Sequence, residues 1–186
     1  MYDALLENIK IAEKSSILEK LEIDPQQYYL VTVHRQSNTD NIENLSNILE
    51  ALSKVDYKII FPVHPRTQKF IKIHGLEEKI KKNISIIQPV GYIDFLWLEK
   101  NAKMIITDSG GIQKEAYLLK VLCITLRENT EWIETVEDGW NVLVGSDKEK
   151  IIDNMKNFIP RQKQSNHFGD GKASKKIKNI LDEANL

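Results

Sequence analysis

The residues with the clearest chemical potential lie in one segment, Thr107-Asp108-Ser109-Gly110-Gly111-Ile112-Gln113-Lys114-Glu115-Ala116. The segment follows an apolar run and opens a helical pattern. Glycines let a ligand approach the backbone closely, and the amides and dipole at a helix N-terminus favour an anion. Glu115, about a turn and a half beyond Ser109, is within reach of a sugar hydroxyl. The segment therefore predicts a nucleotide-binding turn, with phosphate on the amides and ribose on the carboxylate. A simple tight turn, capped by Asp108 or Ser109, is the alternative.

Other parts of the predicted sheet carry residues that suit the same ligand. In an open parallel sheet, ligands bind outside the carboxyl ends of the strands. A guanidinium donates two bonds to a phosphate, and a histidine beside it can donate a bond or shuttle a proton. The residues of these types that follow predicted strands are His34, Arg35, His64, Arg66 and Arg127, with Thr130 in the same loop as Arg127. The alternatives are a turn capped by His34, solvated arginines, and a short helix capped by Thr130.

The strands themselves are predicted by short, nearly continuous apolar runs. These runs cover residues 28–33, 57–63, 84–87, 104–107, 122–126 and 142–144. Apolar residues at helical spacing lie between them, and Asp40 with Glu43 predicts a capping box at one helix start. Alternation of buried strands with helices is typical of a parallel sheet covered on both faces. The predicted fold class is α/β, a doubly wound, Rossmann-like parallel sheet, in a single domain over residues 1–186.

Composition excludes several classes of protein. The chain has 186 residues, 41% of them hydrophobic, and a formal net charge of −1 at pH 7. Such a chain buries a core, and its charge attracts neither nucleic acid nor an anionic membrane. The single cysteine, Cys123, rules out a disulfide framework and favours a reduced, cytoplasmic setting. No run approaches the ~18 apolar residues of a membrane span. Residues 1–14 do not read as a signal peptide, and no residues have metal-ligand spacing.

Six segments together resemble the UDP-N-acetylglucosamine 2-epimerases of bacteria and archaea. In order, they are Val33-His34-Arg35, Phe61-Pro62-Val63-His64-Pro65-Arg66, and residues 107–116, 127–132, 138–145 and 168–173. The resemblance runs over nearly the whole chain. It implies a GT-B-like fold, shared with two-domain nucleotide-sugar glycosyltransferases, in which the substrate lies between two Rossmann-like halves. It also implies interconversion of UDP-N-acetylglucosamine and UDP-N-acetylmannosamine. In that reaction, which uses no metal or other cofactor, UDP is eliminated to give a glycal and added back with C2 inverted.

The resemblance also implies roles for residues. Ser109, Gly110 and Gly111 match the family's phosphate turn, and Glu115 matches its ribose-binding carboxylate. His34 and Arg35 match its active-site His-Arg pair. Arg127 and Thr130 match the loop that closes over UDP. Arg66 is a further phosphate candidate, from its place after the second strand.

Two residues depart from the family pattern. The first motif usually reads His-Arg-x-Glu-Asn, and Ser37 stands at its Glu position, which is expected to weaken catalysis or loop order. Lys114 takes the first of two Glu positions in the phosphate turn. If Glu115 points toward the ligand, Lys114 points away from it and is expected to be harmless.

The resemblance begins at Met1, in what is similar to the second domain of the family. The first domain would supply the acidic residues that move the C2 proton. The expected partners are UDP and UDP-N-acetylhexosamine, the N-terminal catalytic domain, and a second copy in a homodimer. The chain alone is expected to bind nucleotide without turnover. A terminal crossing helix over residues 172–185 would lack its partner domain and be mobile or docked on another chain. The alternatives are the donor half of a glycosyltransferase and a non-catalytic nucleotide-binding remnant.

Overall fold

The computed structural model describes residues 1–184 and contains one six-stranded parallel sheet. The strands stand in the spatial order β3-β2-β1-β4-β5-β6. Their bounds are β1 (Tyr28–Thr32), β2 (Lys58–Pro62), β3 (Ile84–Ile87), β4 (Met104–Thr107), β5 (Leu122–Thr125) and β6 (Asn141–Leu143). All five pairings are parallel. This is the doubly wound, Rossmann-like strand order, and the predicted fold class is confirmed.

Helices connect the strands on both faces. They are α1 (Tyr2–Ala12), α2 (Ile17–Lys20), α3 (Gln36–Thr39), α4 (Ile42–Ser53), α5 (Pro65–Ile73), α6 (Tyr92–Asn101), α7 (Gly110–Leu119), α8 (Ile133–Glu137), α9 (Lys148–Asn157) and α10 (Ala173–Glu183), with a 3-10 turn at Glu77–Lys79. None of the helices described is long and apolar enough to cross a bilayer. The predicted terminal helix reached residue 185, which lies outside the described residues.

Two apolar layers cover the sheet because successive strand residues point to opposite faces. Tyr29 and Val31 of β1 lie in the layer that also buries Leu45, Ile48 and Leu49 of α4. Tyr28 and Leu30, the alternate residues of β1, lie in the layer with Leu5, Leu96 and Ala116, from α1, α6 and α7. Every residue of β1 is buried. The central strand therefore gives rigid support to the residues that follow it.

The chain reverses its direction of travel across the sheet between β1 and β4. The first three strands are laid down outward from β1, and the chain then returns through α6 to place β4 on the other side of β1. Thr32 and Thr107, the last residues of these two strands, are paired in register. The connections after β1 and β4 leave in opposite directions and open a crevice, which is where doubly wound folds bind ligands.

The predicted capping box at Asp40 is wrong by one residue. Asn41 has the extended backbone of an N-cap, and its Oδ1 accepts hydrogen bonds from the backbone N–H groups of Glu43 (2.9 Å) and Asn44 (3.1 Å). The reason is α3, a short helix that the sequence did not predict. Asp40 ends α3 with helical backbone angles, so the next helix starts one residue later.

The terminal helix α10 stands away from the sheet. None of its described residues is buried, and Ile177, Ile180 and Leu181 are 57%, 64% and 45% exposed. Its first turn is tied to α1, since the carboxylate of Asp3 accepts hydrogen bonds from the backbone N–H (2.7 Å) and hydroxyl (2.8 Å) of Ser174. The apolar face of α10 is therefore not covered by the sheet of this chain.

Candidate nucleotide-binding site

The carboxylate of Asp108 joins the ends of β1 and β4. It has no exposed surface, and it accepts hydrogen bonds from the backbone N–H groups of His34 (3.0 Å) and Arg35 (2.9 Å) and from Asn38 Nδ2 (3.1 Å). Nδ1 of His34 lies 3.3 Å from Asp108 Oδ1. Asp108 therefore fixes both the path of the loop after β1 and the orientation of the His34 ring. Sequence reasoning considered Asp108 only as a helix cap.

Threonine hydroxyl groups form hydrogen bonds at the strand ends that border the same crevice. The hydroxyls of Thr32 and Thr107 are hydrogen-bonded at 2.7 Å, and Thr107 Oγ1 also accepts from the backbone N–H of Ser109 (2.9 Å). The hydroxyl of Thr67 donates to the carbonyl of Val33. These buried bonds hold the last residues of both strands in one geometry before the loops begin.

Ser109 begins α7 as its N-cap, with extended backbone and its Oγ 3.5 Å from the N–H of Ile112. Gly110 and Gly111 are the first residues of this ten-residue helix. A methyl group added to Gly110 would lie 2.9 Å from Glu131 Oε2 and 3.6 Å from Arg127 Nη1. Charged side chains therefore approach the backbone of Gly110 closely. The structure thus places the predicted phosphate turn at the helix N-terminus.

Arg127 reaches this N-terminus from the loop after β5. Its Nη1 and Nη2 donate to the two carboxylate oxygens of Glu131 at 3.0 and 2.8 Å, and Nη2 also donates to Asn129 Oδ1 at 2.9 Å. Hydrogen bonds from Arg127, assisted by the charge of Arg35, hold the pKa of the Glu131 carboxyl below its usual value. Arg127 of the predicted diphosphate site is therefore paired with the Glu131 carboxylate.

The rest of that loop is fastened to α7. The hydroxyl of Thr130 donates to Gln113 Oε1 (2.6 Å) and accepts from the N–H of Trp132 (3.0 Å). The indole of Trp132 donates to the carbonyl of Gly110 at 2.7 Å. Trp132 itself is the N-cap of α8, so Thr130 links the loop to α7 instead of capping the short helix.

Glu115 is half-buried on α7, and its Oε1 accepts a hydrogen bond from the hydroxyl of Tyr92 at 2.8 Å. Burial raises the pKa of the Glu115 carboxyl, and the hydrogen bond from Tyr92 acts in the opposite direction. The ammonium of Lys114 lies over the rings of Trp132 (4.1 Å) and Phe168 (4.4 Å). The stacking of Lys114 on these rings gives it a structural role beside the turn.

His64 and Arg66 are engaged within the protein. Nδ1 of His64 accepts from the N–H of Arg66 (3.1 Å), so His64 is the N-cap of α5. The guanidinium of Arg66 pairs with Asp40, with Nη2 to Oδ2 at 2.5 Å, and donates from Nε to Thr39 at 3.1 Å. The structure brings the other predicted site residues to the crevice and α7, whereas it places Arg66 in an ion pair at the end of α3.

Two cavities adjoin the crevice. One of about 160 Å³ is mostly apolar and is lined by Val33, His34, Val90, Phe95 and Ile112, among others. The other, of about 260 Å³, is polar and is lined by Ser37, Arg127, Glu128 and their neighbours. Phe95 could not be predicted as a lining residue, because it lies inside helix α6 and not in a loop that follows a strand.

Neither a metal site nor a reactive thiol is present in the part of the chain that the structure describes. Residues 1–184 contain no group of three or more His, Cys, Asp and Glu side chains that could hold a metal ion. Burial raises the pKa of the Cys123 thiol to about 12, so it stays protonated at neutral pH. The groups that can act on a ligand are therefore those of the crevice.

The model of the family described as UDP-N-acetylglucosamine 2-epimerase matches residues 1–182. This chain belongs to the UDP-N-acetylglucosamine 2-epimerase family. A UDP-N-acetylglucosamine 2-epimerase homolog of Methanococcus maripaludis is 55% identical over 186 residues, which cover 97% of this chain and 52% of the relative. The family resemblance predicted from the sequence motifs is confirmed.

A solved structure of the family contains nucleotide ligands. The UDP-GlcNAc 2-epimerase of Methanocaldococcus jannaschii, in complex with UDP-GlcNAc and UDP, is 48% identical, with a TM-score of 0.86 over 98% of this chain and 52% of that one. This chain spans about half the length of these 2-epimerase relatives. The C-terminal domain of a group 1 glycosyltransferase from Francisella tularensis, 16% identical with a TM-score of 0.52, shares the fold over 76% of this chain and 79% of that one. The prediction of one half of a GT-B-like fold is confirmed.

Proposed function

We propose that this chain is the UDP-binding half of an isomerase that interconverts UDP-N-acetylglucosamine and UDP-N-acetylmannosamine. One observation carries the proposal. The N-terminus of α7 opens at the reversal point of the sheet, Arg127 lies beside its first residue, Gly110, and Glu115 lies farther along the same helix. A 48% identical relative binds UDP-GlcNAc and UDP, which supports the proposal.

Each part of UDP has a matching group in this site. The amides of Gly110 and Gly111 and the guanidinium groups of Arg127 and Arg35 suit the diphosphate. Glu115 is an acceptor for the ribose hydroxyls, in competition with Tyr92. The apolar cavity beside Ile112, one turn before Glu115, is suited to the base. Arg66 would bind a phosphate only if its ion pair with Asp40 broke when the ligand binds.

The proposed reaction proceeds by elimination and re-addition. The proton on C2 is removed as the C1–O bond to UDP breaks, giving a glycal, and UDP returns to C1 as the proton is delivered to the opposite face. His34 is suited to the leaving phosphate, because Asp108 holds Nδ1 and leaves Nε2 free. With a hydrogen on both ring nitrogens, the ring donates from Nε2 to the phosphate while Nδ1 donates to Asp108. The family resemblance assigns the C2 acid and base to the N-terminal domain of the longer protein.

We therefore expect the 186-residue chain alone to bind UDP and UDP-N-acetylhexosamine without turning the sugar over. The check is incubation of the chain with UDP-N-acetylglucosamine in heavy water. Deuterium at C2 would contradict the expectation, and its appearance only after addition of the N-terminal domain would support it. We also propose that the complete protein is a homodimer. The buried, protonated thiol of Cys123 supports a cytoplasmic location.

The second candidate is the donor half of a UDP-sugar glycosyltransferase, favoured by the shared fold with the Francisella domain. The two functions differ in their products. Exchange of the C2 proton with solvent, in a complete two-domain protein, is expected of the epimerase. Transfer of the sugar to an acceptor without C2 exchange is expected of the glycosyltransferase. A protein with UDP binding and neither reaction would be a non-catalytic nucleotide-binding remnant.

The first test is a calorimetric titration of the chain with UDP, with CMP as the control nucleotide. We expect saturable binding of UDP and none of CMP. Glu115→Ala is expected to abolish UDP binding, because the ribose loses its charged acceptor. Glu137→Ala, at an exposed position on α8, is the matched control and is expected to bind UDP as the parent does. Absence of UDP binding at millimolar concentration would contradict the proposed function.

A further inference from the structure

The carboxylate of Glu131 lies in the position that the proposed function gives to a phosphate. Its Oε2 is 2.9 Å from the point where a Cβ would be attached to Gly110, at the N-terminus of α7. Both oxygens accept hydrogen bonds from Arg127. The charge of Arg35 acts on the same carboxyl. An internal anion therefore pairs with Arg127, one of the groups that would bind the diphosphate.

In the proposed complex, the β-phosphate of UDP would take the position of the Glu131 carboxylate. Glu115, the proposed ribose ligand, lies more than one helical turn from Gly110 along α7. The phosphate closer to the ribose is the α-phosphate, and the one farther away reaches the helix N-terminus beside Arg127. The β-phosphate also carries the bond to the sugar, so Glu131 is next to the group whose charge changes during the reaction.

The structure allows the carboxylate to leave while the loop stays in place. The Glu131 side chain is 53% exposed, whereas that of Arg127 is 15% exposed. Arg127 keeps a second partner in Asn129. Thr130 and Trp132, on either side of Glu131, are hydrogen-bonded to Gln113 and Gly110. Rotation of one side chain is therefore enough to admit a phosphate.

We propose that Glu131 is a specificity-determining residue that disfavours free UDP relative to UDP-sugar. The inference rests on the proposed function. Both ligands must displace the carboxylate from Arg127, and the displaced carboxylate remains beside the β-phosphate. The terminal phosphate of UDP carries up to two charges, whereas the sugar ester of the same phosphate carries one. Repulsion by Glu131 is therefore greater for UDP, and it opposes accumulation of UDP after the C1–O bond breaks.

The test is calorimetric titration of the full chain and its Glu131→Gln variant with UDP, UDP-N-acetylglucosamine and uridine. Glutamine keeps the size of the side chain and removes its charge. We expect about tenfold tighter binding of UDP and a smaller gain, about threefold, for UDP-N-acetylglucosamine, since close charge repulsion of this kind is worth of order 1 kcal/mol. Uridine, which displaces nothing, is expected to bind equally to both proteins.

The control is Glu137→Gln, which removes the same charge from an exposed position of α8 and is expected to leave all affinities unchanged. Equal gains for UDP and UDP-N-acetylglucosamine, or weaker binding of UDP by Glu131→Gln, would overturn the inference. Weaker binding would mean that Glu131 holds Arg127 in place for the ligand. Failure of the parent chain and every variant to bind UDP would instead overturn the proposed function. Thermal unfolding of each variant verifies that it is folded.

Discussion

Asp108 has no exposed surface, yet it positions two of the residues proposed to touch the ligand. Its carboxylate accepts the backbone N–H groups of His34 and Arg35 and the side-chain amide of Asn38, which in turn donates to the carbonyl of Leu126. One side chain thus connects the segments after β1, β4 and β5. An asparagine in its place would turn an NH₂ group toward backbone N–H groups, and an NH₂ group cannot accept their hydrogen bonds.

We therefore expect Asp108→Asn to lower the free energy of unfolding by about 2–4 kcal/mol, because buried N–H groups would lose their acceptor. Urea unfolding measures the change, and UDP binding is expected to weaken with it. Asp56→Asn, at an exposed position before β2, is the control and is expected to change stability by less than about 0.5 kcal/mol. Equal stability of the two variants would mean that water replaces the carboxylate.

The single-residue roles that could be predicted from the sequence are those fixed by local pattern. Ser109 as the cap of α7, with the glycines after it, follows from a strand that ends in Ser-Gly-Gly. Pairings between distant segments could not be predicted. Arg66 with Asp40 and Tyr92 with Glu115 each depend on how separate helices are placed. The place of Arg66 after β2 predicts a phosphate ligand, and its partner Asp40, 26 residues earlier in the chain, could not be predicted from that place.

The carboxylate of Asp138 helps to anchor the segment that follows α9. Asp138, at the end of α8, accepts hydrogen bonds from the hydroxyl of Tyr117, from the N–H (2.6 Å) and hydroxyl (2.9 Å) of Ser165, and from Gln162 (3.2 Å). Burial alone would raise the pKa of Asp138, but the hydrogen bonds from Tyr117 and Ser165 prevail and lower it well below its ordinary value. The segment in turn carries Phe168, which packs against Trp132.

The stabilisation by Asp138 has a definite dependence on pH. Because the pKa is lowered in the folded chain, the contribution is present above the ordinary value of 3.8 and is lost as the pH falls below it. We expect Asp138→Asn to unfold more easily at pH 7 and to lose less stability than the parent between pH 5 and pH 3. Chemical unfolding at each pH is the measurement. Parallel losses in the two proteins would contradict the assignment.

Helix α10 contrasts with this anchored segment. No described residue of α10 is buried, so its apolar side chains contribute little transfer free energy to the folded chain. The double variant Ile177→Ser, Ile180→Ser is expected to change the free energy of unfolding by less than about 0.5 kcal/mol. In α4, Ile48→Ser is the comparison and is expected to cost several times more, because Ile48 is fully buried. A large loss in the α10 variant would show that this helix packs on the chain.

The folded chain as a whole contains one buried carboxyl that nothing in its described part satisfies. Glu99 of α6 has no exposed surface, and neither of its oxygens has a hydrogen-bond partner among residues 1–184. Burial, assisted by the charge of Glu115, raises the pKa of Glu99 well above 4.5. Glu99 therefore binds its proton more tightly in the folded chain than in the unfolded chain.

The sign of the pH effect is opposite to that of Asp138. Above pH 4.5 the unfolded chain releases the Glu99 proton before the folded chain does, so this residue makes stability fall as the pH rises, by at most about 1.4 kcal/mol per pH unit. We expect Glu99→Met to remove this slope and to be more stable than the parent at pH 8. Unfolding free energies from pH 5 to pH 8 provide the test. An unchanged slope would mean that Glu99 is paired when the chain is in solution.

The overall architecture was largely predictable, since all six strands are marked by apolar runs, and their alternation with helices requires parallel pairing. The spatial order of the strands is not encoded in any one run. It depends on where each helix packs, which the one-dimensional pattern does not contain. For the same reason α3 is not predicted. Its four residues Gln36–Thr39 are polar and are held by distant side chains, Asp108 bonded to Asn38 and Arg66 bonded to Thr39.

The site at the reversal of the sheet exists only in the folded chain, because its parts come from loops more than 70 residues apart. A nucleotide that binds there has nothing to bind in the unfolded ensemble. Saturation at a hundred times the dissociation constant would add about 2.7 kcal/mol to the free energy of unfolding. In a cell, opening events exposed to proteases would become roughly a hundredfold rarer. The supply of nucleotide sugar would thereby set how long each molecule of this protein survives.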